Sequence, residues 1–106
     1  MTVGNKNMTV DEKMTGDLIT LTIHGRVETL NSDEFQNVIL KTFQKSKNII
    51  LNMNDVPYIS SAGLRALLIG TKTATSKGGK LIITDCSPGV KEVFRVTGFD
   101  GIFNIQ

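Results

Sequence analysis

Ser60 and Ser61 stand side by side where an apolar run, residues 48–53, gives way to a segment of helical apolar spacing that begins near residue 61. A hydroxyl in that position projects from the carboxyl edge of a sheet and sits at the positive end of a helix dipole, which favours an anion such as phosphate. Ala62 and Gly63 follow at once, so the helix start is thinly covered and its N–H groups can approach phosphate oxygens or another macromolecule's backbone. One of the two serines is needed as an N-cap, and the spacing leaves open which.

Nucleophilic catalysis finds no support. The elbow pattern G-x-S-x-G needs glycine two residues before the serine, and Tyr58 and Ile59 occupy those places. The single histidine, His24, lies upstream at a strand end, outside the usual hydrolase order. No G-x-x-x-x-G-K-[ST] phosphate loop is present. The one cysteine, Cys86, cannot pair internally, and without a Cys/His cluster no metal and no cofactor are expected.

Bulk properties narrow the class further. A chain of 106 residues with 40% hydrophobic and 21% charged content reads as one soluble domain. Its net charge is +2, its lysines are scattered and only 6% of its residues are aromatic, so nucleic acid is not an expected partner. No apolar run reaches the ~18 residues of a membrane span. Residues 1–7 are polar, lack a signal-peptide core and read as a loose, flexible tail before a domain over 8–106. A cytoplasmic protein is expected.

The elements that must position the serines follow from periodicity. Residues 8–11 alternate as an edge strand, Thr15-Gly16-Asp17 is a turn, and Ile19, Leu21 and Ile23 mark the other arm of a hairpin. Asn31 stands as cap of a first helix, with Glu34 at capping-box spacing and Leu30 and Phe35 as a hydrophobic staple. Phe35, Val38, Ile39, Thr42 and Phe43 share its apolar face. Residues 49–53, a short apolar run broken only by Asn52, suit a central strand covered on both faces. The second helix places Leu64, Leu67, Leu68, Thr71 and Thr75 on one face, contains Gly70 as a sign of close packing, and stops at Gly78-Gly79. Arg65 falls in its first turn, against the dipole preference, which points to a neighbouring acid or a partner's carboxylate.

A strand over 80–84 precedes a third helix opened by Ser87-Pro88, with Val90, Val93 and Phe94 inward and Gly98 as terminator. A last strand falls within 102–105. The order β-β-α-β-α-β-α-β implies a single mixed, largely parallel open α/β sheet packed by helices, with parallel right-handed crossovers. Spatial strand order does not follow. Function in such sheets gathers in loops beyond strand carboxyl ends; here those are residues 25–31 and 55–63.

At this point the residues resemble bacterial anti-sigma-factor antagonists, the single-domain members of the STAS family, over almost the whole chain. The likeness rests on Gly25-Arg26-Val27-Glu28-Thr29-Leu30-Asn31, on Val56-Pro57-Tyr58-Ile59-Ser60-Ser61-Ala62-Gly63-Leu64-Arg65, on Gly78-Gly79-Lys80-Leu81, and on Val93-Phe94 with Thr97-Gly98, in that order and spacing. The resemblance implies a non-enzymatic switch that binds an anti-sigma factor, often a serine kinase, is turned off when that kinase phosphorylates a serine at the start of the second helix, and is restored by a serine phosphatase. Registering Gly63-Leu64 on the family pattern implies Ser61 as acceptor, with Ser60 as second choice. It further implies a partner-binding surface of Glu28, Thr29, Asn31, Ser60, Ser61, Ala62, Gly63 and Arg65. Ser60 stands where many members carry aspartate, and Glu28 where many carry aspartate in the other loop. The alternatives are an unphosphorylated STAS subunit of a transporter or signalling assembly, and a small nucleotide-binding protein.

Overall fold

A computed structural model describes residues 2–5 and 8–106, with side chains from 8 onward. Six strands, β1 (Thr2–Asn5), β2 (Met8–Thr15), β3 (Leu18–Gly25), β4 (Asn48–Asp55), β5 (Lys80–Thr84) and β6 (Asn104–Ile105), line up in chain order in one sheet. Helices α1 (Ser32–Phe43), α2 (Ser61–Ser76) and α3 (Pro88–Thr97) connect the last four. β1–β2 and β2–β3 are antiparallel; the remaining pairs are parallel. The mixed α/β reading therefore holds, with one strand more than expected. Residues 2–5, read from the sequence as loose tail, pair with β2, so β2 is not an edge strand. Met1, Lys6 and Asn7 lie outside the described residues.

Strands in chain order joined by right-handed crossovers must carry their helices on one side of the sheet. The burial pattern agrees. Ile19 and Leu21 of β3, Ile49 and Leu51 of β4, and Leu81 and Ile83 of β5 are buried and lie side by side in register; Ile23 and Met53, also buried, flank a register shift between β3 and β4. Thr20, Thr22, Ile50, Asn52, Ile82 and Thr84, on the opposite face, are only half-buried. This corrects the expectation of a β4 covered on both faces.

α1 buries the expected Phe35, Val38, Ile39, Thr42 and Phe43. α2 buries a face shifted from the one expected: Gly63, Leu64, Ala66, Leu67, Gly70 and Ala74 point inward, whereas Thr75 is exposed. Gly70 is the close-packing point the sequence suggests, since a Cβ there would lie 2.9 Å from Ile39 Cγ2 and 3.0 Å from Leu81 Cδ2. Gly78 is left-handed at φ +71°, closing α2 as a glycine should. Ser87 caps α3, Pro88 opens it, and Gly98 ends it at φ +79°. Phe94 then meets Phe103 edge-on, and Phe103 stacks on Phe99, sealing the β6 end of the core.

Candidate functional site

Because β3 and β4 run parallel, the loops after them open on the same end of the domain. They are joined there. Val27 and Ile59 form an isolated parallel bridge, in which the Val27 N–H donates to Tyr58 O at 3.0 Å and the Ser60 N–H donates to Val27 O at 2.8 Å. Val27 and Ile59 are both buried, and Gly63 lets the first turn of α2 settle on them: a Cβ there would lie 2.7 Å from Ile59 Cγ1 and 2.8 Å from Val27 Cγ1.

The two serines divide cleanly. Ser60 is the N-cap of α2: its Oγ accepts the Gly63 N–H at 3.1 Å, and it is 5% exposed. Ser61, the first helical residue, is exposed, and its hydroxyl has no partner among the described residues. Ser60 N–H and Gly63 N–H are thus occupied, while those of Ser61 and Ala62 have no carbonyl one turn back within the helix.

The β3–α1 loop is built around Asn31 in a manner the sequence reading missed. Asn31 occupies the N-cap position of α1 but does not cap it. Residues Thr29–Asn31 form a 3-10 turn, and the buried Asn31 amide instead accepts the Glu28 N–H at 2.9 Å and donates to Arg26 O at 3.0 Å. The Glu34 capping box does not form, and Leu30 is no staple: it is 80% exposed. Arg26 Nε donates to Glu28 Oε1 at 3.2 Å, and its guanidinium carbon lies 4.6 Å from the centre of the half-exposed Tyr58 ring, a cation–π contact across the two loops.

Of the residues expected to meet a partner, Glu28, Thr29, Ser61, Ala62 and Arg65 present surface; Asn31, Ser60 and Gly63 are buried and shape it from beneath. Arg65 begins the second turn of α2 rather than lying in the first. Leu30, expected as a staple, and Tyr58 join the surface instead; their signal was a large apolar and an aromatic residue inside the two loop motifs.

Two further contacts brace this end. Ser87 Oγ donates to Val56 O at 2.8 Å while accepting the Val90 N–H at 3.3 Å. On the open sheet face, His24 Nδ1 lies 2.8 Å from Asp55 Oδ2 and Nε2 lies 2.9 Å from Asp11 Oδ2. Hydrogen bonds to Asp55 first and Asp11 second raise the imidazole pKa above its ordinary 6.5. Cys86 is buried, which pushes its thiol pKa up and leaves it unreactive. No cluster of three or more His, Cys, Asp or Glu suited to a metal occurs among the described residues. Nor is any described helix long and apolar enough to cross a membrane.

Fold and site define a small one-sided α/β domain that displays a free hydroxyl at a helix start, between two interlocked loops. The chain belongs to the STAS domain family, whose pattern matches residues 9–106. Some of its relatives are named as anti-sigma factor antagonists. BtrV of Bordetella bronchiseptica, named as a candidate member of that group, is 32% identical over 95 residues, covering 89% of this chain and 81% of its own. The crystal structure of a candidate anti-sigma factor antagonist of Thermotoga maritima superposes with a TM-score of 0.84 at 22% identity, covering 91% of this chain and 84% of the other. The phosphorylated form of the Bacillus cell fate determinant SpoIIAA superposes at 0.71 with 19% identity, covering 92% and 88%. At those identities the two structures speak for the fold.

Proposed function

We propose that this protein is an anti-sigma factor antagonist whose docking surface is switched off by phosphorylation of Ser61. Unmodified, the surface of Glu28, Thr29, Leu30, Ser61, Ala62 and Arg65 binds an anti-sigma factor and so frees a sigma factor. The partner is itself a serine kinase: it passes the terminal phosphoryl group of a bound nucleoside triphosphate to Ser61 Oγ, the hydroxyl proton leaves, and a nucleoside diphosphate remains. A serine phosphatase hydrolyses the ester.

One observation carries this reading: of two adjacent serines at the start of α2, Ser60 is buried in a capping bond and Ser61 is exposed and unpartnered. The names of the relatives supply the partner class, and a phosphorylated form of a structural neighbour makes the modification chemically familiar on this fold. Phosphate adds roughly −1.5 to −2 charges at neutral pH. The dipole of α2 accommodates them, so the fold stays unchanged, whereas a docked partner has to desolvate them. Each cost of about 1.4 kcal/mol weakens binding tenfold.

The test is phosphate mapping by mass spectrometry after incubation with the kinase partner and ATP. Phosphate on Ser61, loss of the complex on modification, and neither effect in Ser61→Ala support the proposal. Recovery of all phosphate at Ser60 or Ser76 overturns it.

A further inference from the structure

Ser61 and Arg65 are both exposed and stand four residues apart on α2. That spacing puts them one turn apart on one helix face. Helical side chains lean toward the N-terminus and cover the preceding turn, so a long side chain at 65 is directed toward the surface that Ser61 occupies.

Arg65 is also the one arginine left without a partner among the described residues. Arg26 has Glu28 and the Tyr58 ring, and Arg95 has Glu92. The first turn of α2 carries no acidic side chain. Arg65 begins the second turn, where the helix dipole has largely faded, and among the described residues no acidic side chain pairs with its guanidinium. A dianion at Ser61 would pair with it, by the fork geometry in which a guanidinium meets phosphate oxygens.

We propose that Arg65 is the internal receptor for a phosphate on Ser61, closing an arginine–phosphate pair along α2 in the modified protein. The inference rests on Ser61 being the modified residue. Its consequence is that modification changes the docking surface twice. It adds negative charge at 61, and it withdraws the positive charge at 65 from the carboxylate of a partner. The pair also holds the ester against the two unpaired N–H groups of Ser61 and Ala62, so the phosphate is carried as part of the helix start and the fold is not disturbed.

The experiment separates this from the kinase reading. Phosphoserine is installed at position 61 of the full chain during translation, so that no kinase is needed, and the second phosphate ionisation is followed by 31P NMR against pH. Its ordinary pKa is about 6. In the wild type it should lie below that of the Arg65→Gln protein by on the order of half a unit, with Arg65→Lys between them because a point charge lacks the fork. The helix dipole acts equally on all three proteins, so the difference reports Arg65 alone. Coincident titrations in wild type and Arg65→Gln overturn the pair while leaving the kinase reading untouched. Failure of a kinase to modify Ser61 defeats that reading without moving these curves.

Discussion

Ser60 Oγ accepts the backbone N–H of Gly63 at 3.1 Å. This bond decides what each of the two neighbouring serines is for. The position of Ser60 is the N-cap of α2, a place that aspartate and serine fill about equally well. The resemblance placed Ser60 where many relatives carry aspartate; the structure turns that departure into an exchange of one good cap for another. The residue after a cap is helical and turned outward, so the acceptor and the cap cannot trade roles without moving the helix start.

Ser60→Ala should therefore cost about 1 kcal/mol of stability, and Ser60→Asp only a few tenths. For a domain of this size the alanine loss corresponds to a fall of roughly 4–8 °C in Tm. Ser61→Ala should leave Tm unchanged, because its hydroxyl holds nothing within the domain. Thermal melts of the three variants check this; a Ser61→Ala protein melting as low as Ser60→Ala would mean the cap has been placed one residue too early.

Asn31 should behave as a loop residue and not as a helix cap. Its amide is 3% exposed and makes both an accepting bond from Glu28 N–H and a donating bond to Arg26 O. Asn31→Ala leaves both backbone groups unpaired in a half-buried loop, a loss of about 1–3 kcal/mol. Asn31→Asp keeps the acceptor but sets a carboxylate against the Arg26 carbonyl, so it should not rescue. Hydrogen exchange should quicken over residues 25–31 in both, with α1 unaffected; fraying of α1 instead would restore Asn31 as its cap.

What the sequence made legible was local. The 3.6-residue spacing of Phe35, Val38, Ile39, Thr42 and Phe43 is a face by itself, and Ser87-Pro88 and Gly98 announce their ends through fixed backbone preferences. The pair of serines was visible for the same reason. Which of them caps was not, because neighbouring serines have equal propensity and the choice is made by Val27, bonded to the Ser60 N–H from another loop. Leu30 and Asn31 were misread because the short 3-10 turn at Thr29–Asn31 rotates them out of the helix frame. The run Ile49-Ile50-Leu51 suggested two covered faces; strand order puts the helices on one side only, and strand order leaves no trace in periodicity.

The His24 cluster makes stability depend on pH. His24 sits at the end of β3 between Asp55 of β4 and Asp11 of β2, the two charged groups whose hydrogen bonds raise its pKa. A group whose pKa is raised by folding contributes stability that is fully present below its unfolded value, ordinarily 6.5, and is lost as pH rises through the folded value. Tm of the wild type should thus fall relative to His24→Gln as pH goes from 6 to 8. The ring is more than a third exposed, so the difference should be modest and shrink in high salt. Parallel pH profiles for the two proteins would remove His24 from the account.

Ser87 should matter to the site although it lies on a different helix. Its hydroxyl caps α3 through the Val90 N–H and donates to Val56 O, at the root of the loop that leads to Ser60 and Ser61. Gly89 lets the first turn of α3 lie close to that loop, since a Cβ there would stand 2.9 Å from Pro57 O. Ser87→Ala removes a cap and an inter-loop bond at once, a loss of about 1–2 kcal/mol. The inter-loop part should show as faster hydrogen exchange over residues 56–60, and as weaker binding of the unmodified protein to its partner through a faster off-rate. Ser87→Asp separates the two effects: the carboxylate still accepts from Val90 N–H but repels the Val56 carbonyl, so α3 stays capped while the loop loosens. Wild-type exchange over 56–60 in Ser87→Asp would show that Val56 is held by packing alone, and that the brace between α3 and the site carries no load.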